Sequence, residues 1–185
     1  MTTIARTMLL AIALTACSSQ NPTHADPTGG GSVADKEGVI TRFTNDIWPA
    51  VEGYRAPGQG SPNSKRFWSV LDSTLPVDSY GGNVDSLDGI RDAAFHLGKV
   101  GDAITPQSFP DGNGLHLVRA SVSSLNGADA AVVACYTFTS LRMDAPTDPG
   151  TPTTSEATFG LHKTDNWYLR SITNDHVVPG CSSMD

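Results

Sequence analysis

The hydrophobic pattern changes period once, near Thr105, and the change divides the chain. Before it, apolar residues recur at three- and four-residue spacing. Val39, Ile40, Phe43 and Ile47 share one helical face, with Ser32 placed as N-cap and Asp35 three residues on. Pro49 marks the expected end of that helix, and Trp48 is placed to close the core there. Phe67, Trp68 and Leu71 predict a second, short helix over residues 65–73, those three facing inward, stopped by Pro76. Leu87, Ile90, Ala94, Leu97 and Ile104 predict a third from Leu87 to Asp102, capped by Ser86. Gly98 and Gly101 weaken its last turns, each by about 1 kcal/mol against alanine.

After Thr105 the period becomes two. Leu115–Leu125 reads as a strand and Asn126-Gly127 as a turn; Ala130–Met143 reads as a long second strand rich in β-branched and aromatic residues. A polar loop with three prolines follows over 144–155. Glu156–Lys163 and Trp167–Thr173 are the last two strands, joined at Asp165-Asn166. Helices followed by an antiparallel meander define an α+β class. One domain is expected over 33–185. Residues 17–32, mostly Ser, Gln, Asn, Pro, Thr and Gly, have almost nothing to bury and read as a flexible tether containing a solvated His24.

The first residues follow a different logic. Arg6 precedes an apolar run from Met8 to Leu14, and Leu14-Thr15-Ala16 leads directly into Cys17. The run is too short to span a bilayer, which takes about 20 apolar residues. A charged start, a short apolar stretch and small residues fit a signal peptide over 1–16. With the cysteine, the segment resembles the lipobox of bacterial lipoproteins. The resemblance implies a diacylglyceryl group, with further acylation such as palmitate, on Cys17, and an anchored location on the extracytoplasmic face of the cell membrane. One chain anchors marginally and two or more hold firmly. The competing reading is an ordinary secretory cut that leaves Cys17 as a free thiol.

Assigning Cys17 to lipid leaves Cys135 and Cys181 of the three cysteines. An even pair outside the reducing cytosol predicts a disulfide, with two free thiols as the alternative. Charge narrows the partners. The full chain is at −7, and removal of Arg6 leaves 11 Lys and Arg against 19 Asp and Glu, near −8. An acidic chain without a basic stripe argues against nucleic acid and against polybasic attachment to lipid. No Cys-x-x-Cys and no metal-spaced histidines are present, so neither metal nor cofactor is expected.

A second resemblance concerns the domain. Three N-terminal helices enclosing Leu71-Asp72-Ser73-Thr74-Leu75-Pro76 precede long strands, and the chain ends in Ala157-Thr158-Phe159 and Asp165-Asn166-Trp167-Tyr168-Leu169. This is similar to the NTF2-like (cystatin-like cone) lipoproteins of mycobacteria and their relatives, over residues 35–175. The resemblance implies a curved sheet wrapped over helices, with a pocket at the wide end that in some members holds an Asp or His base. Such chemistry needs a carboxylate or imidazole whose pKa an apolar pocket moves towards neutrality. Tyr54, Asp72, Asp92, His96 and Tyr136 are the candidate pocket residues. Asp92 and His96 also fit a surface i,i+4 pair, and Tyr136 and Trp167 also fit a core. His116 and His162 lie on strands and read as solvent-facing. No Gly-x-Ser-x-Gly, phosphate loop, dinucleotide fingerprint or His-Glu-x-x-His occurs, and Asp111-Gly112-Asn113-Gly114 reads as a turn, not a calcium loop. The balance favours a non-enzymatic binding or interaction module at the envelope over an enzyme or carrier of a small apolar ligand.

Overall fold

Asp35 starts the helical layer. Its carboxylate accepts from the Ile40 and Thr41 amides at 2.8 and 3.0 Å and from the Thr41 hydroxyl at 2.6 Å. The computed structural model describes residues 35–54, 62–77, 85–101, 108–110, 114–145 and 147–181. All of them belong to one compact unit, Gly31–Asp185. Ser32, the 17–32 tether, Ile104 and the 111–113 turn lie outside the described residues.

A tight turn at Lys36–Gly38 leads into α1 (Val39–Arg42), a wider π turn (Phe43–Ile47) and α2 (Trp48–Gly53). Pro49 does not end this run, contrary to the sequence expectation. It sits in the first turn of α2, just past the π turn, where a missing N–H and the ring are tolerated. Helix α3 covers Pro62–Val70, and α4 covers Leu87–His96, three residues earlier and six residues shorter than expected, respectively. Ser86 caps α4 by accepting from Gly89 N at 3.0 Å. Gly98 ends it with φ +75°, where a Cβ would lie 2.7 Å from Pro110 Cγ, so glycine is required both by conformation and by space.

The sheet is antiparallel and strongly curled. Its strands are β1 (Ser108–Pro110), β2 (His116–Asn126), β3 (Asp129–Arg142), β4 (Thr151–Lys163) and β5 (Trp167–Val177). β3 pairs with β1 at its C-terminal end and with β2 along the rest; β4 and then β5 follow on its other side. Strand β1 was not expected, being only three residues long. β4 starts at Thr151 and not Glu156, because Thr151–Ser155 pairs with Tyr136–Ser140 across a polar stretch that alternation alone reads as loop.

One face of the sheet meets the helices. Val132, Ala134, Tyr136 and Phe138 of β3, Ala157, Phe159 and Leu161 of β4, and Trp167, Leu169 and Ile172 of β5 are buried there. Phe159 meets Phe43 at 5.0 Å and Trp48 at 5.9 Å between ring centroids. Truncating such a ring to alanine costs about 3–5 kcal/mol. Trp48 is 3% exposed, as placed, but Trp68 is 42% exposed, against expectation. Adjacent helical positions point about 100° apart, and Phe67 takes the inward one.

Both outer strands are bulged. In β2 the extra residues are Val118 and Ser123; in β5 they are Arg170 and the Asn174-Asp175 pair opposite Ala157. Bulges twist edges away from further pairing and re-aim the residues they carry.

Candidate functional site

The five pocket candidates do not converge. Tyr54, at the end of α2, is half-buried and stacks on Phe67 at 4.0 Å. Asp92 and His96 form a 3.3 Å pair on the exposed side of α4. Asp72 is 2% exposed and lies in the turn after α3. There it accepts from the Thr74 amide at 3.0 Å and the Thr74 hydroxyl at 2.7 Å, with Arg170 at 3.5 Å. Burial opposes its charge, but the Thr74 and Arg170 contacts outweigh it and hold its carboxyl below the usual carboxylate range. His116 is exposed, and His162 pairs with Asp129 at 2.8 Å on the sheet face away from the helices.

Tyr136 stands in a buried polar cluster that joins three elements of the chain. Its ring is fully buried between Trp48, at 5.3 Å, and Phe138, at 5.9 Å. Its hydroxyl donates to Asp175, accepts from Gly98 N at 3.1 Å and is hydrogen-bonded to Ser155. The second Asp175 oxygen also accepts from Gly98 N, at 3.1 Å. Burial, then the Asp175 charge, pushes the Tyr136 hydroxyl up. Asp175 is exposed as a residue, yet its carboxyl group lies against that hydroxyl. The local desolvation, and not the exposure of the whole residue, decides its proton affinity: it is raised, the Tyr136 and Gly98 hydrogen bonds opposing burial without cancelling it.

Asp175 was not among the sequence candidates. Asn174 adopts φ +55° and shares with Asp175 the second bulge of β5, opposite Ala157, which turns the Asp175 carboxylate onto the cluster. Nothing in the alternation of 167–173 announces it. The one signal in the sequence is Asn174-Asp175, a dipeptide tolerant of left-handed backbone, inside an otherwise strand-forming run.

On the other face of the same strand, Cys135 is joined to Cys181, with Cα atoms 5.7 Å apart. The pairing expected from cysteine counting is thus present. Consecutive residues of β3 therefore fasten the end of the chain twice: Tyr136 holds Asp175 on the helix side, and Cys135 holds Cys181 on the outer side. Val178 N donates to Thr154 O at 2.9 Å between them. The tail that would otherwise fray is held across β4.

Chemically, the Tyr136 hydroxyl has its donor and its acceptor capacity engaged within the cluster. An incoming acceptor gains the O–H only by displacing Asp175, and an incoming donor must displace Gly98 N or Ser155. Among the described residues no buried side-chain nitrogen or oxygen lacks a partner, no three metal-binding side chains gather, and no helix is long and apolar enough to cross a membrane.

Comparison of the chain with protein-family models, with curated proteins and with solved structures finds no match. The fold and the cluster together define an α+β protein in which a helical layer fills a curled antiparallel sheet and a cystine holds the terminal segment.

Proposed function

We propose that this chain is an exported lipoprotein, held by lipid on Cys17 at the extracytoplasmic face of the cell membrane, whose folded unit is a non-enzymatic binding or interaction module of NTF2-like type. Residues 1–16 are the removed signal and 17–32 the tether. The observation that carries this reading is the cysteine arithmetic. Of three cysteines, two are joined to each other, and the one outside the bridge is the one that follows the apolar run and small residues. A disulfide suits an oxidising compartment outside the cytosol. The module reading is supported by the mutual engagement of the buried polar groups, which leaves the Tyr136 hydroxyl committed to structure. The partner is then another envelope protein or a small apolar ligand.

The test is direct. Cys17→Ser releases the protein from the membrane fraction and abolishes labelling by radioactive palmitate; a variant that stays membrane-bound overturns the anchor. A second reading, a carrier or enzyme acting on a small apolar ligand, is favoured by one observation: a carboxyl of raised pKa beside a buried phenol, as acid–base chemistry needs. If it holds, an apolar ligand perturbs Tyr136 saturably in the wild type and not in Asp175→Asn.

A further inference from the structure

Helix α3 differs from the rest of the helical layer in what it shows to solvent. Its outward half carries Lys65, Arg66, Trp68 and Ser69, all exposed, while Phe67 and Val70 are buried behind them. Five of the other cations are paired with acids: Arg42 with Asp46, Arg91 with Asp88, Arg142 with Asp144, Lys163 with Glu37 and Arg170 with Asp72. Lys99 and the half-buried Arg119 of β2 make no ion pair among the described residues, and neither has an exposed tryptophan beside it. Among the described residues no acidic group forms an ion pair with Lys65 or Arg66, although Arg66 lies within electrostatic reach of Glu52. The ring of Phe95, as exposed as that of Trp68, is different: Lys99 Nζ sits 4.7 Å over it. An acidic chain thus presents one helix face that combines two cations with a tryptophan.

We infer that the α3 face seats the domain on the anionic headgroups of the bilayer to which it is tethered, an inference that rests on the proposed anchor. Tryptophan favours the headgroup region, where its ring is half apolar and its N–H remains solvated. Each lysine or arginine near an anionic surface adds about fivefold to binding, hence about 25-fold for the pair. Such an affinity is too weak to recruit a free protein. For an anchored one it suffices, because a covalent link to the bilayer makes the contact an intramolecular one, at millimolar effective concentration. The acyl chains hold the protein at the membrane, and α3 sets which way it faces.

The test uses the chain from Cys17 onward, coupled through that thiol to a maleimide-headgroup lipid; with Cys135 and Cys181 joined, Cys17 is the one free thiol. Trp48 and Trp167 are 3% and 2% exposed, so a change in tryptophan emission on vesicles reports Trp68. On phosphatidylglycerol vesicles the emission shifts to the blue and is quenched by brominated acyl chains. The shift disappears on phosphatidylcholine vesicles, in 1 M salt and in the Trp68→Phe variant. Lys65→Glu with Arg66→Glu abolishes it as well; the salt titration on the wild type tests the same charges should that variant misfold. No shift on anionic vesicles, or an equal shift on neutral ones, overturns the inference. Because the linkage is supplied chemically, either result stands apart from the native lipidation of Cys17, which the mass of that residue in the isolated protein decides.

Discussion

Asp72 and Asp175 are two carboxylates held by hydrogen bonds, each beside a bulge in β5, and the protein treats them oppositely. Asp72 is satisfied within its own turn: Thr74 is two residues away, and the bulged Arg170 adds a cation. Asp175 is satisfied by groups 39 and 77 residues away, and among the described residues it forms no ion pair, the neighbouring His176 acting on it only through its charge. The Asp72 carboxyl is consequently held below the usual range and the Asp175 carboxyl above it, although burial pushes both upward. What separates them is the partner set: a hydroxyl, an amide and a guanidinium stabilise charge more than a phenol and a shared amide do. One aspartate is a local turn fastened to the sheet. The other is the inner of two fastenings on the terminal segment.

Breaking the outer fastening has the largest effect on this contrast. Cys181→Ser opens a loop of 46 residues and is expected to cost about 3–4 kcal/mol in chemical denaturation. Amide exchange then rises first around Asp175, while the Asp72 turn keeps its protection. If both regions loosen equally, the terminal segment is not a separate unit.

Tyr136→Phe comes next. It leaves the Asp175 carboxyl without its phenol partner and is expected to cost about 1–3 kcal/mol. The cost shrinks in the Cys181→Ser background if the two fastenings act on one segment. Simple additivity would contradict that coupling.

The pH dependence sharpens the comparison through its sign. Asp72, with a depressed folded-state pKa, contributes stability that is present above its unfolded value near 3.8 and lost as pH falls through the folded value. Asp175, with a raised folded-state pKa, contributes stability that is fully present below about 3.8 and lost as pH rises through the folded value. Measured from pH 7 downward, the stability gap between wild type and Asp175→Asn therefore grows, whereas the gap for Asp72→Asn stays level and then closes below pH 4. Equal slopes would remove the distinction. The smallest effect belongs to a pair outside the contrast: His96→Ala removes an exposed contact to Asp92 and changes stability by less than about 0.5 kcal/mol.

The sequence announces neither region in full, for different reasons. The Asp72–Thr74 turn falls where the apolar spacing extends the second helix to residue 73, whereas the contact of Ser86 with Gly89 is set by short spacing, so that cap was legible from the residues. So was the α+β order, with four of the five strands. The Tyr136–Asp175 contact depends on a bulge, and a bulge reverses the alternation from which faces are assigned. Trp68 was misplaced for a related reason: a three- or four-residue spacing admits both Phe67 and Trp68 to one stripe, and only packing chooses between them. Pro49 read as a stop because the π turn before it leaves no trace in the pattern. The Cys135–Cys181 bridge needed no geometry, only the assignment of Cys17.

That assignment carries the account, and the intact mass of the protein isolated from membranes without reductant tests it most directly. The predicted species begins at Cys17, bears the mass of its acyl groups on that residue, and is two hydrogens lighter than the dithiol form through the Cys135–Cys181 bond. A chain that still begins at Met1, or one cut before an unmodified Cys17, would contradict it.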